Sequence, residues 1–332
     1  MDTPALDSLA RETNFSGVVR VDLDGETHFA ECYGLANRAH AIPNTLDTQF
    51  GIASGVKGLT ALTVASLVEQ DTLAMSTTAR SLLGDDLPLI ADDVTVELLL
   101  AHRSGIGDYL DEDRDVDIDD YLMPFPVHEL ATTEQYVPAL AGHEPKFAPG
   151  TDFSYCNGGF VVLALLAERA SGIPFHDLVR DRVCEPAGMQ DTQFLRSDEL
   201  PARAALGYLS LDGVSRTNVF HLPVRGSGDG GIYSTVADFA SFWDALVDGE
   251  IVSKEMVVEL VRPRSEVPPS RRYGLGFWLG ADNDVIALEG YDAGVSFRSV
   301  HDPVRRITYT VISNTSEGAW PLTRLLAEQL SA

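Results

Sequence analysis

Residues 51 to 70, GIASGVKGLTALTVASLVEQ, hold Ser54 and Lys57 three positions apart where a turn enters an apolar helix. The chain has three lysines, Lys57, Lys146 and Lys254, among 24 basic side chains, so a lysine here is not background. A serine hydroxyl is a poor nucleophile at neutral pH and needs a base within hydrogen-bond reach. Residues three apart on a helix share a face, so Lys57 can reach back to Ser54. Apolar neighbours and the positive end of the helix dipole both lower a lysine pKa, which fits it to act as a base. The same helix N-terminus directs the Ser54 amide at negative charge developing on an attacked carbonyl.

A Ser-x-x-Lys pattern is short enough to arise by chance, with the serine capping a helix and the lysine on the surface. A second cluster adds weight: FAPGTDFSYCNGGFVVLALL contains Tyr155-Cys156-Asn157, and no other of the ten tyrosines has Asn two positions on. No serine has glycine at both −2 and +2, so the nucleophile elbow of α/β-hydrolases is absent. The eight histidines form no HExxH and no paired ligand spacing, so neither a histidine metal site nor a cofactor is expected.

Together these segments resemble the serine β-lactamase and penicillin-binding-protein-like superfamily, in its class C β-lactamase and family VIII esterase branch. The resemblance runs in order through FGIASGVKGLTAL, VELLLAHRSGIGDY, FAPGTDFSYCNGGF and GDGGIYSTVADFASFWDALVDG. It implies that Ser54 is acylated, that Lys57 activates it, and that Tyr155 shuttles the proton to the leaving atom and later activates water. Asn157 would then hydrogen-bond both the lysine and the substrate amide.

The family's third motif, Lys or His-x-Gly on the strand lining the site, should fall in IALEGYDAGVSFRS. Aligning the glycine with Gly290 puts Leu288 where the cation belongs and Glu289 between them. Gly290 still permits close approach of a substrate backbone, and the Tyr291 amide becomes the second oxyanion donor beside that of Ser54. Without the cation, and with Glu289 adding repulsion, anionic acyl donors should bind less well. Arg298 could restore positive charge, although a surface role suits an arginine there better. Glu289 and Asp292 could hold a substrate ammonium, but EGYDAG is dense in turn formers, and capping of a turn is the preferred reading.

These residues need elements to hold them. A short helix over Pro4 to Thr13 precedes FSGVVRVDLDGETHFAECYG, whose alternation on both sides of Asp24-Gly25 reads as a β-hairpin. Residues 76 to 224 read as short helices broken by Pro, Gly and polar loops, without a convincing strand pair in most of that span. YGLGFWLG, DVIALEG, GVSFRSVHD and RITYTVISN read as strands, and WPLTRLLAEQL as a last helix. The expected fold class is α+β, β-lactamase/transpeptidase-like: an antiparallel sheet flanked by terminal helices plus a mostly helical domain. The expected division is 1–75 with 225–332 as the α/β domain and 76–224 as the helical insertion.

The balance of 24 basic and 50 acidic residues gives a net charge of −26, which repels nucleic acids and anionic membranes. A solubilising surface, of the kind that suits high salt, explains the acidity better than substrate attraction. No basic n-region precedes an apolar run, and nothing approaches the roughly 20 apolar residues of a membrane span, so a cytoplasmic protein is the expectation. Cys32, Cys156 and Cys184 are odd in number and lack CxxC, which suits packed thiols. The aspartates of DEDRDVDIDD, residues 111 to 120, alternate as in a calcium loop but place Val116 where Gly is needed and Leu122 where Glu is needed. A solvated acidic loop is expected instead.

The expected function is hydrolysis of a small ester, amide or peptide through a Ser54 acyl-enzyme, by a monomer or small homo-oligomer. The alternatives are a β-lactamase or D-Ala carboxypeptidase, and a protein that binds an acyl group and releases it slowly or never.

Overall fold

The computed structural model describes residues 1–113, 117–211, 213–268 and 271–330. Val116, the residue on which the calcium pattern fails, lies outside them. The chain opens with helix α1 (Thr3–Glu12), capped by the Asp2 carboxylate accepting from the Ala5 amide. Strands β1 (Gly17–Leu23) and β2 (Glu26–Tyr33) form the hairpin, and Asp24 and Gly25 take φ of 53° and 81°. Positive φ at both turn residues matches the right-handed twist of the strands, which explains Asp-Gly there.

Helix α2 (Val56–Glu69) follows a 3₁₀ turn, Ala53–Gly55. Every residue of α2 from Val56 to Leu67 is buried, so the helix is enclosed all round rather than striped. Helix α3 (Asn157–Ser171), buried from Asn157 to Ala167, packs against α2. Helix α4 (Val236–Asp248) is capped by the Thr235 hydroxyl, which accepts from the Asp238 amide. Strands β3 (Ser265–Val267), β4 (Arg271–Tyr273), β5 (Trp278–Gly280), β6 (Ile286–Asp292), β7 (Val295–Asp302) and β8 (Ile307–Ser313) come next, and helix α5 (Ala319–Leu330) follows.

The eight strands form one antiparallel sheet in the order β2-β1-β8-β7-β6-β5-β4-β3. β1 pairs with β8 in register Val19↔Val311, so the two ends of the chain meet inside the sheet. Successive residues of a strand face opposite sides. Val19, Val21 and Val311 face a core with Leu6, Leu322 and Leu326 of the two terminal helices. Val18, Phe297 and Ile312 face the larger core shared with α2, α3 and α4. Leu322 and Leu326 are fully buried, and burial of a leucine stabilises by about 2 kcal/mol.

One local reading differs from the structure. Tyr208–Leu211 and Val214–Thr217 pair as a hairpin within the region expected to be helical. Its outer residues Ser210, Val214, Ser215 and Arg216 are exposed, so no apolar alternation marks it. The acidic loop is exposed at Glu112, Asp113, Asp117 and Asp120, as expected, but is also anchored. Lys146 Nζ lies 2.7 Å from Asp113 and 2.9 Å from Ser154 Oγ, which ties the loop to the residue before Tyr155. The three cysteines are free thiols, with Cys156 and Cys184 buried.

Candidate active site

Ser54 sits in the 3₁₀ turn directly before α2, after Ala53, whose φ of 45° is left-handed. That conformation is uncommon for a residue with a side chain and persists only where its surroundings enforce it. Here the enforcement comes from β6. A Cβ built on Gly290 would lie 2.0 Å from the Ile52 carbonyl oxygen and 3.1 Å from the Gly55 amide nitrogen. The strand therefore presses against the nucleophile turn, and only glycine permits the contact.

Lys57 is 2% exposed, and its Nζ lies 2.8 Å from Ser54 Oγ, 2.8 Å from Asn157 Oδ1 and 2.9 Å from the Asp229 carbonyl oxygen. Nζ also stands 4.9 Å from the centre of the Tyr155 ring. Burial lowers the Lys57 pKa, although the charges of Asp229, Glu112, Asp108 and Asp292 oppose the shift. The result is a lysine nearer to neutrality than a surface one, held against a serine.

The Tyr155 phenol lies beside Ser54, and burial drives its pKa well above the ordinary tyrosine value, so it is a neutral phenol. Trp278 stacks parallel to it at 6.0 Å, and the Arg271 guanidinium lies over that indole at 3.8 Å. Asn157 starts α3, and its side-chain Nδ2 donates to Glu112 at 2.8 Å and to the Leu110 carbonyl at 3.3 Å. The loop before α3 thus engages the side-chain amide that the sequence reading gave to the substrate.

The side chains of Leu288 and Glu289 both engage other parts of the protein. Leu288 is 2% exposed and packs on Gly58 of α2, so its side chain belongs to the core rather than to a ligand surface. Glu289 pairs with Arg298 directly across the strand at 3.1 Å and with Arg271 at 3.2 Å, which compensates its charge locally. Arg298 is thereby engaged and does not stand in for the missing cation. Tyr291 turns its side chain to the other face, 43% exposed and edge-on to Trp320 at 5.9 Å, with only its backbone toward the nucleophile side. Asp292 accepts from the Ala293 amide at 2.8 Å, as a turn cap does, and burial pushes its pKa up to about 7.

Asp229, Glu112 and His102 belong to this constellation without having been singled out by type or spacing. Asp229 lies in GSGDGG, where glycines let the chain pass close to the helices. A Cβ on Gly228 would meet the Phe160 carbonyl at 2.2 Å, and Thr60 donates to the Gly228 carbonyl at 2.7 Å. The glycine run was the available signal. Asp229 is buried with Tyr109 bonded to its carboxylate, and burial raises its pKa. Asp229 and Asp292 line a cavity beside Ala53 that also takes in Tyr109, Tyr136, Asn218 and Val224.

Among the described residues no group of three or more His, Cys, Asp or Glu is placed to hold a metal ion. No single helix among them is long and apolar enough to cross a membrane.

Residues 6–332 match the model of the family described as Beta-lactamase. The crystal structure of a penicillin binding protein from Bacillus halodurans superposes with a TM-score of 0.92 at 34% identity, covering 98% of this chain and 99% of that one. Esterase EstB of Burkholderia gladioli is 31% identical over 61% of this chain and 52% of its own length. The D-aminopeptidase of Brucella anthropi is 28% identical over 74% of this chain and 46% of its own. The chain thus spans about half the length of these two curated relatives.

Proposed function

From the premise that the chain belongs to the Beta-lactamase family, we propose that it hydrolyses a small ester or amide through an acyl-enzyme on Ser54. The observation that carries this reading is Lys57 Nζ at 2.8 Å from Ser54 Oγ in a buried, pKa-lowering setting. Neutral Lys57 takes the hydroxyl proton as Oγ attacks the carbonyl carbon. The resulting oxyanion faces the Ser54 and Tyr291 backbone amides, each such donor contributing about 10²-fold or more. Tyr155, beside Ser54, passes a proton to the departing alkoxide or amine, and its oxygen then helps water attack the acyl carbon. Asn157 and the Asp229 carbonyl hold the lysine in place throughout.

Residues 1–75 and 225–332 on this reading form one unit and 76–224 the other. Ser54, Lys57 and Asp229 then come from the first, Tyr155, Asn157 and Glu112 from the second, and substrate enters between them. Carboxylate-bearing acyl donors are disfavoured, because Leu288 is in the core, Arg271 and Arg298 are held by Glu289, and Asp229 and Asp292 line the adjoining cavity. The names of two relatives, an esterase and a D-aminopeptidase, support ester and amide substrates.

The test is hydrolysis of p-nitrophenyl butyrate by wild type and by Ser54→Ala. Turnover by wild type and a loss of at least about 10³-fold in a folded variant are expected. Equal rates in the two proteins would end the proposal.

A further inference from the structure

His102 is a buried histidine, 1% exposed, that the acylation chemistry does not use. Its backbone is left-handed at φ 54°, an uncommon conformation for a residue with a side chain. That turn lets a single residue grip the peptide on both sides of Tyr155. The His102 carbonyl accepts from the Ser154 amide at 3.0 Å, and its Nδ1 accepts from the Cys156 amide at 3.0 Å. Between those two bonds the imidazole lies 4.2 Å, ring centre to ring centre, from Tyr155 itself. Tyr273 at 4.8 Å and Phe160 at 4.9 Å enclose the ring from other elements.

The bond from the Cys156 amide dictates the tautomer. An N–H donor requires a bare Nδ1, so the single proton of a neutral imidazole resides on Nε2. Nε2 has no hydrogen-bond partner and is buried among the rings. Burial and the nearby Lys57 charge hold the pKa well below the ordinary histidine value, so the acceptor is not lost to protonation. A purely space-filling residue would need neither a bare nitrogen toward Cys156 nor a strained backbone that turns its carbonyl to Ser154. Both bonds act on the residues flanking the phenol that meets Ser54.

We propose that His102 is a positioning residue for catalysis, fixing the Tyr155 phenol at Ser54 by clamping the two peptide groups around it. The proposal rests on the Ser54 acyl-enzyme reading for its kinetic consequence and on geometry alone for its structural one. It does not touch substrate.

Two substitutions separate the ring from the acceptor. His102→Phe keeps an aromatic ring and removes Nδ1, whereas His102→Asn keeps an acceptor at the same distance from the backbone and tolerates positive φ. With rates normalised to active sites by the p-nitrophenol burst, His102→Phe should lower kcat about 100-fold with KM nearly unchanged, the scale of a catalytic group misplaced by about 1 Å. His102→Asn should recover at least about a tenth of the wild-type rate, since the acceptor survives. A crystal structure of His102→Phe should show the phenol out of hydrogen-bond reach of Ser54.

Wild-type kcat in His102→Phe, or an unmoved Tyr155 in its crystal structure, overturns the proposal. Should that variant fail to fold, ¹⁵N NMR of histidine-labelled wild type decides instead. The neutral Nε2–H tautomer is expected for His102, and a proton on Nδ1 would refute the clamp. Absence of turnover by wild type would count against the hydrolase reading, and the crystal and NMR results would still decide the clamp.

Discussion

The two walls of the cleft handle charge in opposite ways. On the helix wall one cation, Lys57, lies within the fields of four carboxylates, Asp229, Glu112, Asp108 and Asp292. On the strand wall one carboxylate, Glu289, lies between two cations, Arg271 and Arg298. The first arrangement leaves excess negative charge in a buried place and is tolerated because burial also raises the pKa of Asp108 to about 6 and of Asp292 to about 7. The second carries one net positive charge and is part-exposed. On the hydrolase reading, the helix wall serves proton movement and the strand wall, whose cations are both engaged by Glu289, serves shape.

If the strand wall acts by shape, filling its closest approach should do the greatest damage. Gly290→Ala would drive a methyl group against the Ile52 carbonyl and the Gly55 amide, displacing the turn that presents Ser54. A fall in kcat/KM of about 10²-fold is expected, comparable to the loss of one oxyanion donor. Steady-state kinetics of the folded variant checks this, and activity near wild type would show that the walls are not coupled at this point.

The contrast in charge is sharpened by Glu289→Gln, which removes the carboxylate and releases Arg271 and Arg298. The variant should favour succinyl over butyryl esters by about 5-fold more than wild type does, the equivalent of about 1 kcal/mol for part-exposed charges. An unchanged ratio would mean that the two arginines do not sense the acyl group.

The smallest expected effect is on stability. The pKa of Asp292 is raised from 3.8 to about 7, so the folded state holds a proton that the unfolded chain releases. Its contribution is present below about pH 4 and is lost as pH rises through about 7. Asp292→Asn removes this dependence and should raise stability at pH 8 by about 1 kcal/mol relative to wild type, with less gain at pH 5. Thermal melts at the two pH values check it, and an equal shift at both would break the contrast between the walls.

The features readable in the sequence are those in which chemistry follows chain spacing. Ser54 and Lys57 share one turn, Tyr155 and Asn157 one helix start, and Asp24-Gly25 one hairpin, so each pair is a local signal. The antiparallel sheet with helices followed from alternation in strands that keep one face in each core. Charge compensation was not readable. Glu289 meets Arg298 only through the β6–β7 register, and Arg271 only across β5, so the strand appeared to carry an unpaired acid. Leu288 appeared to replace a ligand contact because the pattern does not reveal that it packs on Gly58. His102 was inconspicuous because its partners are backbone groups of a distant segment, and Asp229 because it meets Lys57 through its own backbone carbonyl, which carries no side-chain signature.

The pairing of β1 with β8 also sets a timetable for synthesis. β8 lies between β1 and β7, yet it is translated after every other strand of the sheet. While the ribosome is still short of residue 313, the opening hairpin has no neighbour on its inner edge, and such unpaired edges invite association with other chains. The nucleophile turn is made early, but the sheet that backs it closes only when that late strand is threaded in. A nascent chain halted before Ile307 would therefore carry Ser54, Lys57 and Tyr155 and still lack the completed sheet behind them.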